Sequence, residues 1–203
     1  MPALHALFER LESELPLAGQ AWDGPMGQRR EAAVLVALTD ESSPQVILGR
    51  RAMHLPLHPG EVAFPGGKRE LEDHTPWATA LREAMEEVGL AESLPYRLGE
   101  LSPLITRTGF DVYPCVAKVP DGLEMVVDPG EFDSVFLLPL EVFADRGIFR
   151  LESMSDGKRK RMVPHYQVGS DNIWGVTAAV LAQLANVAYD AGLQLQRDWN
   201  TEP

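Results

Sequence analysis

Glu83, Glu86 and Glu87 fall within one short segment, Arg82-Glu83-Ala84-Met85-Glu86-Glu87-Val88-Gly89. On a helix, residues three and four apart share a face, so these carboxylates project together over an arc of roughly 100°. Trp77, Leu81, Ala84 and Val88 form a separate apolar stripe, centred roughly 140° away. One side of such a helix buries while the other presents exposed acids, Glu87 among them, that repel one another. A hard, oxygen-seeking cation such as Mg²⁺ resolves that repulsion, and the residues do not choose between Mg²⁺ and Mn²⁺. A Glu-rich face left as solvated surface is the plainer alternative. The flanking residues weigh against it.

Thr75 is suited to cap the helix, Pro76 to occupy its first position and Gly89 to end it in the left-handed conformation. That spacing predicts a helix over residues 76–88 with both ends specified. Upstream, Phe64-Pro65-Gly66-Gly67 makes a turn at which the backbone approaches a ligand closely, because glycine carries no Cβ. Arg50, Arg51, Lys68 and Arg69 lie near this segment in sequence. They are the candidate partners for an anionic substrate.

These residues resemble the Nudix hydrolase family, whose signature runs Gly, five residues, Glu, seven residues, then Arg-Glu-apolar-x-Glu-Glu-x-Gly-apolar. Here Gly67 is followed by five residues and Asp73, then by eight residues and Arg82-Glu83-Ala84-Met85-Glu86-Glu87-Val88-Gly89-Leu90. Asp thus replaces Glu, and the connection is one residue longer. The leader is similar to that of the coenzyme A pyrophosphatase branch: Ile47 to Ala52, His54-Leu55, and His58-Pro59-Gly60-Glu61-Val62-Ala63-Phe64-Pro65-Gly66-Gly67. Later matches include Thr108 to Pro114, Val135-Phe136 with Pro139-Leu140, and Ile173 to Ala178. The branch usually has a basic residue where Pro56 stands and Thr where Gly49 stands.

The resemblance implies an α/β fold, a Nudix-type α/β/α sandwich with a mixed β-sheet, and metal-dependent hydrolysis of a nucleoside diphosphate linked to another moiety. Glu83 and Glu87 would bind the metal most directly, with Glu86 joining them or holding a ligand water. Arg82 would orient the carboxylates, and Glu86 or a loop residue such as Glu131 would take the proton. Gly66, Gly67, Lys68, Arg50 and Arg51 would contact the substrate. Within the branch, coenzyme A would be cut to 4′-phosphopantetheine and adenosine 3′,5′-bisphosphate. ADP-ribose, a dinucleotide, or a non-catalytic nucleotide-binding role stay open as alternatives.

With 203 residues, 45% of them hydrophobic, the chain has enough apolar material for one core. The expected division is a helix and connection over 1–29, one catalytic domain over 30–192 and a tail over 193–203. A lone Cys115 excludes an internal disulfide and fits a reducing compartment. The first residues lack the charged start and continuous apolar run of a signal peptide. The apolar stretch from Val176 to Ala188 is interrupted by Gln183 and Asn186, too soon for a membrane span. A cytoplasmic enzyme with no membrane partner is expected. A net charge of −12 argues against nucleic acid as a partner, since phosphate backbones need a basic footprint.

The remaining elements alternate. An amphipathic helix is expected over 3–15, with Leu4, Leu7, Phe8, Leu11 and Leu15 on one side, packed on its own core or across a two-fold axis as a homodimer. Strands are expected over 32–38, 45–50, 96–104, 110–119 and 132–138, then a short helix over 139–145, a hairpin of 148–154 with 161–168, and a last helix over 176–191. Lys158 to Arg161 at the hairpin tip reads as a solvated turn, or as a clamp for a 3′-phosphate or a partner subunit. His54, His58, His165, Trp174 and Asp111 read as structural or solvent-facing. Glu61 is either an exposed strand residue or one that reaches the metal site.

Overall fold

The computed structural model describes residues 2–16, 22, 30–106, 108–155, 157 and 160–195, with side chains described from residue 6 onward. The hairpin-tip residues Asp156, Lys158 and Arg159, the side chain of Leu4 and most of the 16–29 connection lie outside the described residues. The chain divides into two compact units, Met1–Leu140 and Glu141–Pro203.

In the first unit, helix α1 (Pro2–Glu14) precedes strands β1 (Arg30–Thr39), β2 (Gln45–Arg51), β3 (Val62–Ala63) and β4 (Gly66–Lys68). Helix α2 (Pro76–Val88) then leads to β5 (Tyr96–Glu100), β6 (Leu104–Ile105), β7 (Phe110–Val119) and β8 (Phe132–Pro139). The sheet runs β3-β2-β1-β7-β5, with β4 on β1, β6 on β7 and β8 on β2. It is mixed, as expected: β1 and β7 are parallel, pairing Arg30 with Phe110 through to Thr39 with Val119, and the other pairings are antiparallel.

Period-two alternation decides what each face of β1 does. Ala33, Leu35 and Ala37 join the core beneath α2, against Trp77, Ala80 and Ala84. Arg30, Ala32 and Val34 therefore face the other side. The α2 boundaries agree with the sequence reading because both caps form: Thr75 Oγ1 accepts the Ala78 N–H at 3.1 Å, and Gly89 sits at φ 69° with its N–H on Met85 O. Phe8, Leu11 and Leu15 of the first helix segment are buried. Leu15 comes so close to Gly99 that any side chain there would collide with it, so α1 packs on β5 of its own chain.

Two expectations need correction. The Gly66-Gly67 turn is a short strand, since its backbone pairs with Val34 and Ala33 of β1. The strand expected over 96–104 is broken into β5 and β6 around Ser102-Pro103; proline has no N–H to continue the ladder.

The second unit holds β9 (Phe149–Ser155), β10 (Lys160–Val168) and β11 (Asp171–Trp174) in one antiparallel sheet, followed by α3 (Gly175–Tyr189). A 3-10 turn, Leu140–Ala144, spans the unit boundary. Tyr166 is fully buried and donates its hydroxyl to Phe143 O at 2.9 Å. Among the described residues, no helix is long and apolar enough to cross a membrane.

Candidate metal and diphosphate site

The site begins where β4 crosses α2. Gly67 pairs with Ala33 and so faces the helix, where a Cβ would overlap the Glu83 carboxylate. Gly66 is held at φ 158°, and a Cβ there would strike Ala33 O and Val34. Gly67 lets the strand backbone lie against the helix acids, and Gly66 lets it lie close on β1.

Glu87 uses that approach. It is only 4% exposed, and one carboxylate oxygen accepts the Gly66 N–H at 2.8 Å. The expectation that Glu87 is exposed is therefore wrong, because β4 covers that part of the acid face. Burial pushes the Glu87 carboxyl up to about 8, against the Gly66 hydrogen bond, and the charges of Glu83 and Glu131 push the same way while Arg51 opposes them. Glu83 is also raised, first by burial and then by Glu86 and Glu70, with Arg82 opposing. Glu86 is mostly exposed and reaches Arg82 at 3.4 Å.

Arg82 is the organiser of the acid face. It grips Asp73 through Nη2 at 2.9 Å and Nε at 3.3 Å. It also donates to Glu83 at 3.0 Å and to Lys68 O at 3.1 Å. Asp73 is buried and accepts from the Glu70 N–H and the Thr79 hydroxyl as well. Burial alone would raise the Asp73 carboxyl; Arg82, Glu70 and Thr79 outweigh it and hold the group below its ordinary value. Asp73 thus serves as the anchor of Arg82, and its hydrogen-bonding capacity is spent on that role. Nothing in the sequence marked Thr79 for its part.

Glu131 comes from the turn before β8. Asp128 Oδ1 accepts the Gly130 N–H, Asp128 O accepts the Glu131 N–H at 3.0 Å, and the Asp128 N–H bonds Glu87 O at 2.9 Å. That turn is tied to the helix end, and the Glu131 charge reaches Glu87. Arg51, on β2, brings the opposing positive charge. Arg50 instead donates to Gly60 O and lies over the Phe136 ring. Lys68 extends to the sheet face away from the helix, over Phe110. Glu61 pairs with His58 at 3.1 Å, and Arg69 forms a buried pair with Glu31 at 2.6 Å. His165 bonds Asn172 and stacks on Trp174 within the second unit.

The donors at this site are carboxylate oxygens, and burial makes the charge of Glu83 and Glu87 costly although Arg82 and Arg51 offset part of it. Among the described residues, no group of three acidic, histidine or cysteine side chains is gathered tightly enough to form a complete cage. A pair of carboxylates still fits Mg²⁺, which is commonly held by one or two acids together with water and substrate phosphates.

Residues 29–160 match the model of the NUDIX domain. The chain is 39% identical to the uncharacterized Nudix hydrolase NudL of Yersinia enterocolitica over 76% of its own length and 79% of that protein. It is 36% identical to NudL of Photorhabdus laumondii over 77% and 83%. Among solved structures, DR0079 of Deinococcus radiodurans aligns with a TM-score of 0.51 at 18% identity, over 86% of this chain and 93% of that one. A MutT/nudix family protein of Enterococcus faecalis gives 0.50 at 17%, over 91% and 69%. The chain therefore belongs to the Nudix hydrolase family.

Proposed function

We propose that this Nudix enzyme hydrolyses coenzyme A and its derivatives to 4′-phosphopantetheine and adenosine 3′,5′-bisphosphate. The observation that carries the chemistry is the buried Glu87, held against the Gly66 N–H beside Glu83 and in no ion pair among the described residues. The leader from Ile47 to Gly67 supports the substrate. In this reading the enzyme acts in the cytoplasm on a free small molecule.

Glu83 and Glu87 would hold a divalent cation, with Glu86 joining them from the exposed side. When bound there, the cation would supply charge neutralisation at the diphosphate and would lower the pKa of an attacking water. Arg82, fixed by Asp73, keeps Glu83 in position and is a positioning residue. The Gly66-Gly67 backbone leaves room for the diphosphate, and Arg51 contributes a cation on the same side as Glu87. Arg50 orients the loop carrying Gly60, while Lys68 meets the substrate beyond β4. Water attacks one phosphorus, and the bridging P–O bond breaks toward the other phosphate. Glu131 takes the proton, because Glu86 is engaged by Arg82 whereas Glu131 has no such partner among the described residues.

Chromatographic product analysis with coenzyme A and Mg²⁺, with EDTA as control, tests this. Adenosine 3′,5′-bisphosphate appearing only with metal is the expected result. Cleavage of ADP-ribose or a dinucleotide with coenzyme A intact would discard the substrate and keep the chemistry. Silence on all of them, with nucleotide binding retained, would make the chain a binding module.

A further inference from the structure

Three cations of the first unit are held in ion pairs: Arg69 with Glu31, Arg82 with Asp73 and Glu83, Lys118 with Asp40. Arg30 and Lys68 differ. Among the described residues, neither is in an ion pair, and both are exposed. Yet they meet on one half-buried ring, with Arg30 Cζ 5.6 Å and Lys68 Nζ 5.7 Å from the centroid of Phe110. Arg30 is held by a 3.2 Å hydrogen bond to Thr108 O.

Strand register explains the meeting. Arg30 pairs with Phe110 across β1 and β7, and Ala32 pairs with Lys68 across β1 and β4. Residues 30 and 32 lie on the same face of β1, opposite the face on which Gly67 and Ala33 meet α2. Lys68 follows Gly67 directly, so this cationic face begins one residue from the backbone that touches Glu83. Two like charges gathered on one ring repel, and the ring's quadrupole relieves only part of that. An anion within reach of both relieves the rest. In a chain of net charge −12, two cations sharing one ring beside the acid site are suited to an anionic ligand.

We propose that Arg30, Phe110 and Lys68 form a subsite for a phosphomonoester that the substrate carries away from its scissile diphosphate. The inference deepens the proposed function and rests on it for the identity of that phosphate, the 3′-phosphate of coenzyme A. Arg30 supplies a planar fork suited to phosphate oxygens, and Lys68 a point charge. Phe110 keeps both side chains extended over the sheet. These are specificity residues: they read the substrate's far end and take no part in breaking the bond.

Calorimetric binding of adenosine 3′,5′-bisphosphate and adenosine 5′-monophosphate, in Mg²⁺, tests the subsite without turnover. The two ligands differ only in the 3′-phosphate. The protein should favour the bisphosphate by about tenfold or more, the scale of one charge-assisted hydrogen-bonded contact. Arg30→Gln should erase most of that preference, and Arg30→Lys should keep part of it. Arg30 is exposed at a strand end, so the fold tolerates both changes; unchanged circular dichroism verifies this. Equal binding of the two ligands by the unsubstituted protein, or an undiminished preference in Arg30→Gln, would overturn the proposal. Kinetics add a second reading: the ratio of kcat/KM for coenzyme A to that for dephospho-coenzyme A should fall by a similar factor in Arg30→Gln. Failure to cut either compound would sink the coenzyme A reading, while the binding preference alone would still decide the subsite.

Discussion

The β4–α2 crossing and the β9–β10–β11 sheet are both rich in charge, but they treat it differently. In the sheet, Arg150 bonds Glu152 at 2.6 Å and Asn172 at 3.1 Å, and His165 bonds Asn172 at 3.2 Å and lies 3.6 Å from Glu152. Each group there faces an opposite or a hydrogen-bonding partner, and the Arg150 hydrogen bond lowers the Glu152 carboxyl. At the crossing, burial and neighbouring acids raise both Glu83 and Glu87. Acids raised by burial and by one another are the arrangement expected where a ligand completes a site. Satisfied charge marks structure, whereas stacked acids beneath a glycine strand mark function.

The largest effect that would sharpen this contrast is loss of the buried acid. Glu87→Gln should lower kcat by about a thousandfold or more, on the scale of several kcal/mol that a catalytic metal contributes. The fold should persist, since the amide oxygen still accepts from Gly66 N–H. An active, metal-dependent Glu87→Gln enzyme would break the assignment.

Gly67→Ala comes next. The added methyl displaces the Glu83 carboxylate, and a displacement of that size costs about a hundredfold in rate. Steady-state kinetics beside a thermal melt separate this from unfolding. Asp73→Asn should lower kcat by about tenfold and destabilise by about 2 kcal/mol, because a charge-assisted contact to Arg82 is weakened. A pure KM change would contradict the positioning role.

The pH response follows from Glu87. Its carboxyl ionises near pH 8 when folded and near pH 4.5 in its ordinary state. The folded protein binds this proton more tightly, so stability is fully present below about pH 4.5 and is lost as pH rises through about 8. Metal-free protein should therefore show a larger fall in urea midpoint from pH 5 to pH 9 than Glu87→Gln does. Equal falls would remove the argument that the acid is buried without compensation. The smallest effect belongs to the second region. Arg150→Ala, at a largely exposed pair, should cost at most about 1 kcal/mol in chemical denaturation.

Helix α2 was legible residue by residue, because Thr75, Pro76 and Gly89 specify its ends through local hydrogen bonds and dihedral preference. The burial of Glu87 was not. Helical spacing places Glu83, Glu86 and Glu87 on one face, but only β4, arriving from elsewhere in the chain, decides which of them is covered. The role of Asp73 was hidden for the same reason: it stands where the resemblance has Glu, and only Thr79 and Arg82 closing around it in space make it an anchor. The meeting of Arg30 with Phe110 gave no signal, since eighty positions separate them and only the parallel β1–β7 register brings them together.

The sequence by itself determined the family, the clustering of acids on one helix face and the ends of the helix that carries them. These depend on residue type and on spacings within one or two turns of chain. Tertiary structure alone decided which carboxylate is buried, which acid serves the arginine and which cations share a ring. Those outcomes depend on desolvation and on strand register, and both are set by segments distant in sequence.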